Sequence, residues 1–332
     1  MSEPKYDVIA IGNAIVDVMA PCEDELIENL GLARGGMTLI DAEGAERLYQ
    51  AMGPAKEISG GSAANTLAGL AALGARCAFI GQVAADQLGE VFAHDIRAGG
   101  IDFEIPARPG EPPTARCLIF VTPDGQRTMN TFLGASQFLP ASALDDAVIG
   151  SARVLYLEGY LWDPEEPRAA MRRAIEAARG AGREVALTLS DAFVIARHGD
   201  DFRALLAEGL LDVLFCNEAE LAAMSGSDDV EAGVALLAPQ VPVLVVTRSE
   251  KGALAVARGE RAEVPAEPVA AVVDTTGAGD LFAAGFLVGH VRGQPLATCL
   301  TMGAVAAAEI IGHYGARPEA DLRELVKARV GS

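Results

Sequence analysis

The amino-acid sequence predicts an α/β fold, with a central, mostly parallel sheet flanked by helices and a small β-sheet lid. Three observations carry this. Short apolar strand patterns alternate with alanine-rich helical patterns over most of the chain. Between 100 and 136 the texture changes to strand patterns joined by turns, with no helix between them, which does not fit a parallel core. A chain of 332 residues, half of them hydrophobic, can bury one large core and still carry an appendage. The expected division assigns 5–13, 42–100 and 136–330 to a large α/β body, and 14–41 and 101–135 to the lid.

In order along the chain, 6–12 alternates and ends in glycine, the mark of a first strand. Residues 42–52 and 61–73 have helical spacing, 77–83 is a strand, and a helix over 88–98 stops at Gly99-Gly100. Strand patterns at 103–105, 117–122 and 128–133, together with 15–19 and 37–40, are assigned to the lid. Pro106, Pro109, Gly110, Pro112 and Pro113 form a loop cluster, and Pro123-Asp124-Gly125 a hairpin turn. Alternation then resumes with strands at 154–157, 185–188, 213–216 and 243–247 and helices between them. A late hairpin follows at 252–256 and 263–264, then two long apolar helices at 277–291 and 296–310.

Composition excludes several partners. The net charge of −20 is spread along the chain without a basic cluster, so nucleic acid and anionic membranes are poor partners and a small molecule is the better expectation. Cys22, Cys77, Cys117, Cys216 and Cys299 are odd in number and set in apolar contexts, as reduced core cysteines are. No apolar run is long enough to span a bilayer, and Met1-Ser2-Glu3-Pro4-Lys5 has no apolar signal core. The expected location is therefore the cytoplasm. The four histidines lack ligand spacing, which argues against structural zinc.

The most informative segment is Asp274-Thr275-Thr276-Gly277-Ala278-Gly279-Asp280, which leads into an apolar helix. Small, glycine-rich positions at a helix start leave free backbone N–H groups at its positive end, where an anionic phosphate binds. Asp280 would repel that phosphate unless it takes a proton from an attacking hydroxyl. An acid at a helix start is, taken singly, usually a cap, but a cap needs one polar residue and this string specifies seven. The pairing of anion cradle and base reads as phosphoryl transfer. No Gly-x-x-x-x-Gly-Lys-Ser/Thr loop is present, and Gly12 stands alone where a dinucleotide fold would show Gly-x-Gly-x-x-Gly.

This segment resembles the C-terminal signature of the ribokinase-like (PfkB) carbohydrate and nucleoside kinases. A second match to the family is Gly60-Gly61-Ser62-Ala63-Ala64-Asn65-Thr66, followed by Gly81, Asp86 and Gly89. The resemblance runs from about residue 6 to about residue 317 and implies the ribokinase-like fold, ATP as donor, Mg2+ and, in many members, a monovalent cation such as K+. It makes Asp280 the base and the amides of Gly277, Ala278, Gly279 and Asp280 the anion hole. Asn217 and Glu220 match an Asn-x-x-Glu element that organises Mg2+ through water; the same residues also read as a helix cap with an acidic first turn. Thr247, Gly252 and His313 fall to the nucleotide side. Backbone carbonyls near Asp274, Thr276 and 312–315 are candidates for the monovalent cation.

On the acceptor side the resemblance makes Asp17 the grip on two vicinal hydroxyls, the alternative being an exposed strand residue. Asn13, Gly60, Gly61 and Asn65 would complete the polyol contacts. Arg127 either swings toward the transferring phosphate on lid closure or is an exposed hairpin arginine, with hinges expected at 12–14 and 134–135. Tyr160 stands where adenosine kinases stack an aromatic on the base, with Leu133 and Ala135 as the opposite wall. The reading is an ATP-dependent kinase acting on the 5′-hydroxyl of adenosine, as in purine salvage, and resembling bacterial adenosine kinases. A ribokinase- or fructokinase-like sugar kinase, an inosine/guanosine kinase and a non-catalytic nucleoside sensor are the alternatives. Ala64, where many adenosine kinases have glutamine, and Ser249, where the family often has glycine, depart from the pattern. The assembly is expected to be a monomer or a homodimer.

Overall fold

The computed structural model describes residues 4–331; Met1, Ser2 and Glu3 of the segment expected to lack a signal core lie outside them. The chain opens with β1 (Tyr6–Ile11), β2 (Ile15–Pro21), α1 (Asp24–Asn29), β3 (Met37–Leu39), α2 (Ala42–Ala51), β4 (Lys56–Gly60), α3 (Ser62–Ala72), β5 (Cys77–Ile80) and α4 (Gln87–Ala98). There follow β6 (Ile101–Asp102), β7 (Ala115–Val121), β8 (Arg127–Phe132), α5 (Asp146–Gly150), β9 (Ala152–Glu158), α6 (Glu165–Gly180), β10 (Glu184–Thr188) and α7 (Ala192–Ala207). The C-terminal third contains β11 (Val213–Asn217), α8 (Glu218–Ser225), α9 (Val230–Leu237), β12 (Val243–Thr247), β13 (Ala253–Ala257), β14 (Glu260–Val264), α10 (Ala278–Val291), α11 (Leu296–Ile310) and α12 (Leu322–Val330).

Among the described residues the strands form two sheets. The large one has the order β14-β13-β12-β11-β10-β9-β1-β5-β6 and is parallel from β12 to β6, with β13 and β14 added antiparallel at one edge. β1 pairs with β9 on one side and β5 on the other, so strand order reverses there. Such a switch point opens a crevice beyond the strands' carboxyl ends. Alternate residues of β1 feed two apolar layers: Val8 and Ala10 pack in the layer that includes α3, α10 and α11, and Ile9 and Ile11 in the layer that includes α6 and α7. Both faces of a parallel sheet are thereby buried, which is why its strands read as continuous apolar runs.

The small sheet has the order β3-β8-β7-β2-β4. It corrects the expected division at two places. Lys56–Gly60, expected in the large body, pairs antiparallel with β2 in the small sheet; a strand starting with lysine and glutamate and ending in glycine gives little apolar signal. Residues 103–105, expected as a lid strand, form none: the neighbouring β6 pairs with β5 at the edge of the large sheet. Phe103 is buried, with its ring centroid 5.9 Å from that of Phe79 and 5.5 Å from that of Phe92. Its burial comes from ring packing, without a ladder. The hairpin turn at 123–125 joins β7 and β8, with the Gly125 amide donating to the Thr122 carbonyl at 2.8 Å. The five cysteines are free, four of them buried, and no helix among the described residues is long and apolar enough to cross a membrane.

Helix α10, which carries Asp280 in its first turn, lies unusually close to α11. A Cβ at Gly285 would clash with the backbone at Met302 and Gly303. Gly285→Ala should therefore cost about 1–3 kcal/mol through overpacking against backbone that has little room to give; a lower urea midpoint at unchanged m would show it.

Candidate active site

The amino end of α10 and the carboxyl ends of β1, β9, β10, β11 and β12 meet the small sheet around one cleft of about 500 Å³. Gly277 caps α10 with φ of 79°, a left-handed conformation that favours glycine. A Cβ there would lie 2.7 Å from Ala316 Cβ, while one at Gly279 would meet nothing. No side chain caps this helix start. The Ala278 amide donates to the Thr275 carbonyl at 3.2 Å, while among the described residues the Gly277, Gly279 and Asp280 amides have no acceptor and are left to an external one, which fits a phosphate.

Asp280 is half-buried in the cleft. Ser62 Oγ donates to its Oδ1 at 2.6 Å, and Asn65 Nδ2 to its Oδ2 at 3.1 Å. Burial pushes its pKa up, against the pull of Ser62, Asn65 and Arg317. The two holders come from the first turn of α3, which starts where Gly61 adopts φ of 96° close to the Asn13 carbonyl. Asp17 on β2 faces the same cleft, and Gly60 leaves room for it, since a Cβ there would lie 2.5 Å from Asp17 Oδ2. Burial raises the pKa of Asp17 to about 6, with Arg317 and Arg127 opposing and Asp280 and Asp274 adding.

Glu158, at the end of β9, is a cleft residue that sequence reasoning missed. It is fully buried, and its Oε1 accepts from the Asn13 amide at 2.7 Å and from Asn13 Nδ2 at 2.6 Å. Its Oε2 accepts from the Ala63 amide at 2.7 Å. Burial pushes its pKa up to about 7 against these donors. Ser136 Oγ donates to Asn13 Oδ1 at 2.8 Å, so Asn13 also ties in the turn after β8. The sequence hides Glu158 as the last residue of an apolar strand.

Asn217 and Glu220 form a reciprocal capping box at the start of α8. Asn217 Nδ2 donates to Glu220 Oε1 at 2.7 Å and the Asn217 amide to Oε2 at 3.1 Å. Both Glu220 oxygens are thus occupied, and burial lifts its pKa to about 7, which fits a role toward Mg2+ through water better than direct ligation. Among the described residues no cluster of three His, Cys, Asp or Glu could hold a metal. Asp274 Oδ2 pairs with Arg127 Nη1 at 2.7 Å and accepts from the Gly315 amide at 3.2 Å, while its Oδ1 accepts from Thr276. That carboxylate has no oxygen left for a monovalent cation, so only nearby carbonyls would serve one. Arg127 is buried rather than exposed, and its guanidinium lies 5.3 Å from the centroid of the Tyr314 ring.

Tyr160 and Leu133 line the cleft, and Phe193 joins them with its ring centroid 6.0 Å from that of Tyr160. Ser190, at φ of 69°, accepts from the Gly159 and Tyr160 amides at 2.9 and 3.3 Å and so fixes the turn that carries Tyr160. Ala135 is fully buried and outside the lining. Thr247 lines the cleft, whereas Gly252 and His313 do not; His313 Nε2 lies 3.1 Å from Glu309 Oε1.

Residues 36–322 match the family described as pfkB family carbohydrate kinase. The chain belongs to that family. Its members use ATP and usually Mg2+ to phosphorylate small molecules, and the α/β architecture described above is theirs. The crystal structure of an adenosine kinase from Sinorhizobium meliloti is similar over 98% of this chain and 99% of that one, with a TM-score of 0.90 and 48% identity. A probable sugar kinase from Rhizobium etli is similar over 98% of each chain, with a TM-score of 0.91 and 44% identity. A fructokinase from Klebsiella pneumoniae is 32% identical over 69% of this chain and 76% of its own length.

Glu158→Ala should destabilise the kinase by about 1–3 kcal/mol, because it leaves the buried donors of Asn13 and Ala63 without an acceptor. The native carboxyl binds its proton more tightly than an unfolded one. Its contribution is therefore complete below the ordinary glutamate range and lost as pH rises through about 7. The deficit of the variant, measured by urea unfolding, should be larger near pH 5 than near pH 8.

Proposed function

We propose that this kinase transfers the γ-phosphate of ATP to the 5′-hydroxyl of adenosine, giving AMP and ADP. The observation that carries the reading is Asp280, held by Ser62 and Asn65 at an uncapped helix start, in one cleft with Asp17. Asp17 would accept from the two ribose hydroxyls, with Gly60, Gly61, Asn13 and Asn65 shaping the floor beside it. Asp280 would take the 5′-hydroxyl proton as that oxygen attacks the γ-phosphorus and the bond to the ADP oxygen breaks. The amides of Gly277, Gly279 and Asp280 would carry the charge on the transferring group; that of Ala278, expected with them, is engaged by the Thr275 carbonyl. Glu220 and Asn217 would hold Mg2+ through water, and the ion would supply charge neutralisation at the donor phosphates. Thr247 would flank the nucleotide, and the small sheet would close about 12–14 and 134–135 to exclude water.

Adenosine is favoured over a bare sugar by the aromatic pair Tyr160 and Phe193 in the cleft that Leu133 also lines, since a flat base gains more from such walls than a sugar does. The likeness to the adenosine kinase of Sinorhizobium meliloti supports the same reading. The likeness to a probable sugar kinase and a fructokinase supports a second one, in which a hexose or ribose is the acceptor.

Mass identification of the product formed from ATP, Mg2+ and a mixture of adenosine, inosine, ribose and fructose decides between them: AMP is expected, and a hexose phosphate alone overturns adenosine. A thermal-shift panel with the same four acceptors should show stabilisation by adenosine through mass action. Asp280→Asn should lower kcat by about 10²- to 10⁴-fold with an unchanged melting profile; near-normal turnover would remove Asp280 as the base.

A further inference from the structure

Arg317 follows α11 on the loop that precedes α12, and its guanidinium bonds to two separate elements. Its Nη1 donates to the Ala64 carbonyl at 2.9 Å, in the first turn of α3. Its Nη2 donates to the Ser59 carbonyl at 2.6 Å and to Ser59 Oγ at 3.0 Å, on β4. Ser59 pairs with Val16 on β2, one residue from Asp17. Ala64 lies between Ser62 and Asn65, the two residues that hold Asp280. The two residues before Arg317 belong to the same assembly: Ala316 backs Gly277, and the Gly315 amide donates to Asp274.

We propose that Arg317 is a positioning residue for phosphoryl transfer. One guanidinium bolts the β4 edge of the small sheet to the start of α3. Asp17 and the holders of Asp280 then keep one spacing, and a fixed positive charge stands beside two carboxylates that share a cleft. The proposal rests on the reading of Asp280 as the base.

Charged and polar groups from several elements surround the two acids. Around Asp280 stand Ser62 and Asn65 from α3, Asp17 from β2, Tyr156 and Glu158 from β9, Tyr160 after β9, and Arg317. Asp17 is faced by Asp274 as well, and by Arg127 from β8. Arg317 acts on both acids, and Asp95 on α4, which accepts from the Ser59 amide at 2.8 Å, completes its counter-charge. Two like charges in one partly dry cleft raise each other's proton affinity, and a fixed cation near both opposes this. Arginine suits the place because it stays charged while its planar fork satisfies carbonyls on two different elements.

The test compares Arg317→Gln and Arg317→Lys in the full chain, using ATP, Mg2+ and the acceptor that the wild-type enzyme phosphorylates. Arg317→Gln should lower kcat by about 10- to 10²-fold through lost alignment. It should also move the acid limb of the kcat profile up by about one pH unit, as loss of a neighbouring cation requires. Arg317→Lys should return the limb toward its wild-type place while kcat stays low, because charge is restored and the two-element hold is not. An acid limb that stays in place in a folded Arg317→Gln overturns the charge role, and normal kcat in Arg317→Lys overturns the positioning role. Should Arg317→Gln fail to fold, the kcat and limb of Arg317→Lys decide alone. Asp280→Asn run in parallel separates the two readings: if it is silent while Arg317→Gln keeps the wild-type limb, the base stands and Arg317 is excluded.

Discussion

The whole arrangement hangs on one buried carboxylate. Glu158 is out of contact with water, yet it accepts three hydrogen bonds from two separate chain segments, the turn after β1 and the first turn of α3. A desolvated carboxyl is tolerable only while its donors stay in place, so the cost of burial becomes a geometric constraint. Gly12 shows how tight it is, since a Cβ there would lie 2.5 Å from Ala63 Cβ and clash with the Glu158 carboxyl. Through Asn13 the constraint reaches β2 and Asp17, and through Ala63 it reaches Ser62, Asn65 and so Asp280. The end of β9 itself leads into the turn that carries Tyr160.

Around that anchor the molecule concentrates negative charge where an anionic donor must come. Asp17, Glu158 and Glu220 all hold their protons more tightly than ordinary carboxyls, each chiefly because of burial. The counterweights are the amides at the start of α10 and the guanidinium groups of Arg127 and Arg317. Arg127 is engaged by Asp274, an ion pair in which both side chains are less than a tenth exposed. Breaking one side of such a pair leaves an unpaired buried charge, so the pair docks the β7–β8 hairpin onto the loop before α10.

Local chemistry made part of this legible in the sequence. The string from Asp274 to Asp280 can be read because a left-handed glycine and a small helix start leave little else for those residues to do. The alternation of strands and helices, the 123–125 turn and the small sheet's β2, β3, β7 and β8 were readable for the same reason. Lys56–Gly60 was not, because its pairing partner rather than its own pattern makes it a strand, and Phe103 was misread because ring packing imitates strand burial. Ser62, Glu158 and Phe193 went unnoticed as cleft residues, and Arg317 as the link between β4 and α3. Each is ordinary in its own segment, and its significance comes from side chains far away in the sequence, 218 positions in the case of Ser62 and Asp280.

The sequence by itself determined the α/β architecture, the presence of a second sheet, the anion-binding helix start and the acid that follows it. These depend on backbone preferences and apolar periodicity, which act over a few residues. Tertiary structure alone decided that Asp280 is held from α3 and that Glu158 ties β1 to that helix. It likewise decided that Arg127 is spent on Asp274 and that Arg317 spans β4 and α3. Those are contacts between segments brought together by the crossing of strands at β1, and no local pattern encodes which distant partner a buried charge will find.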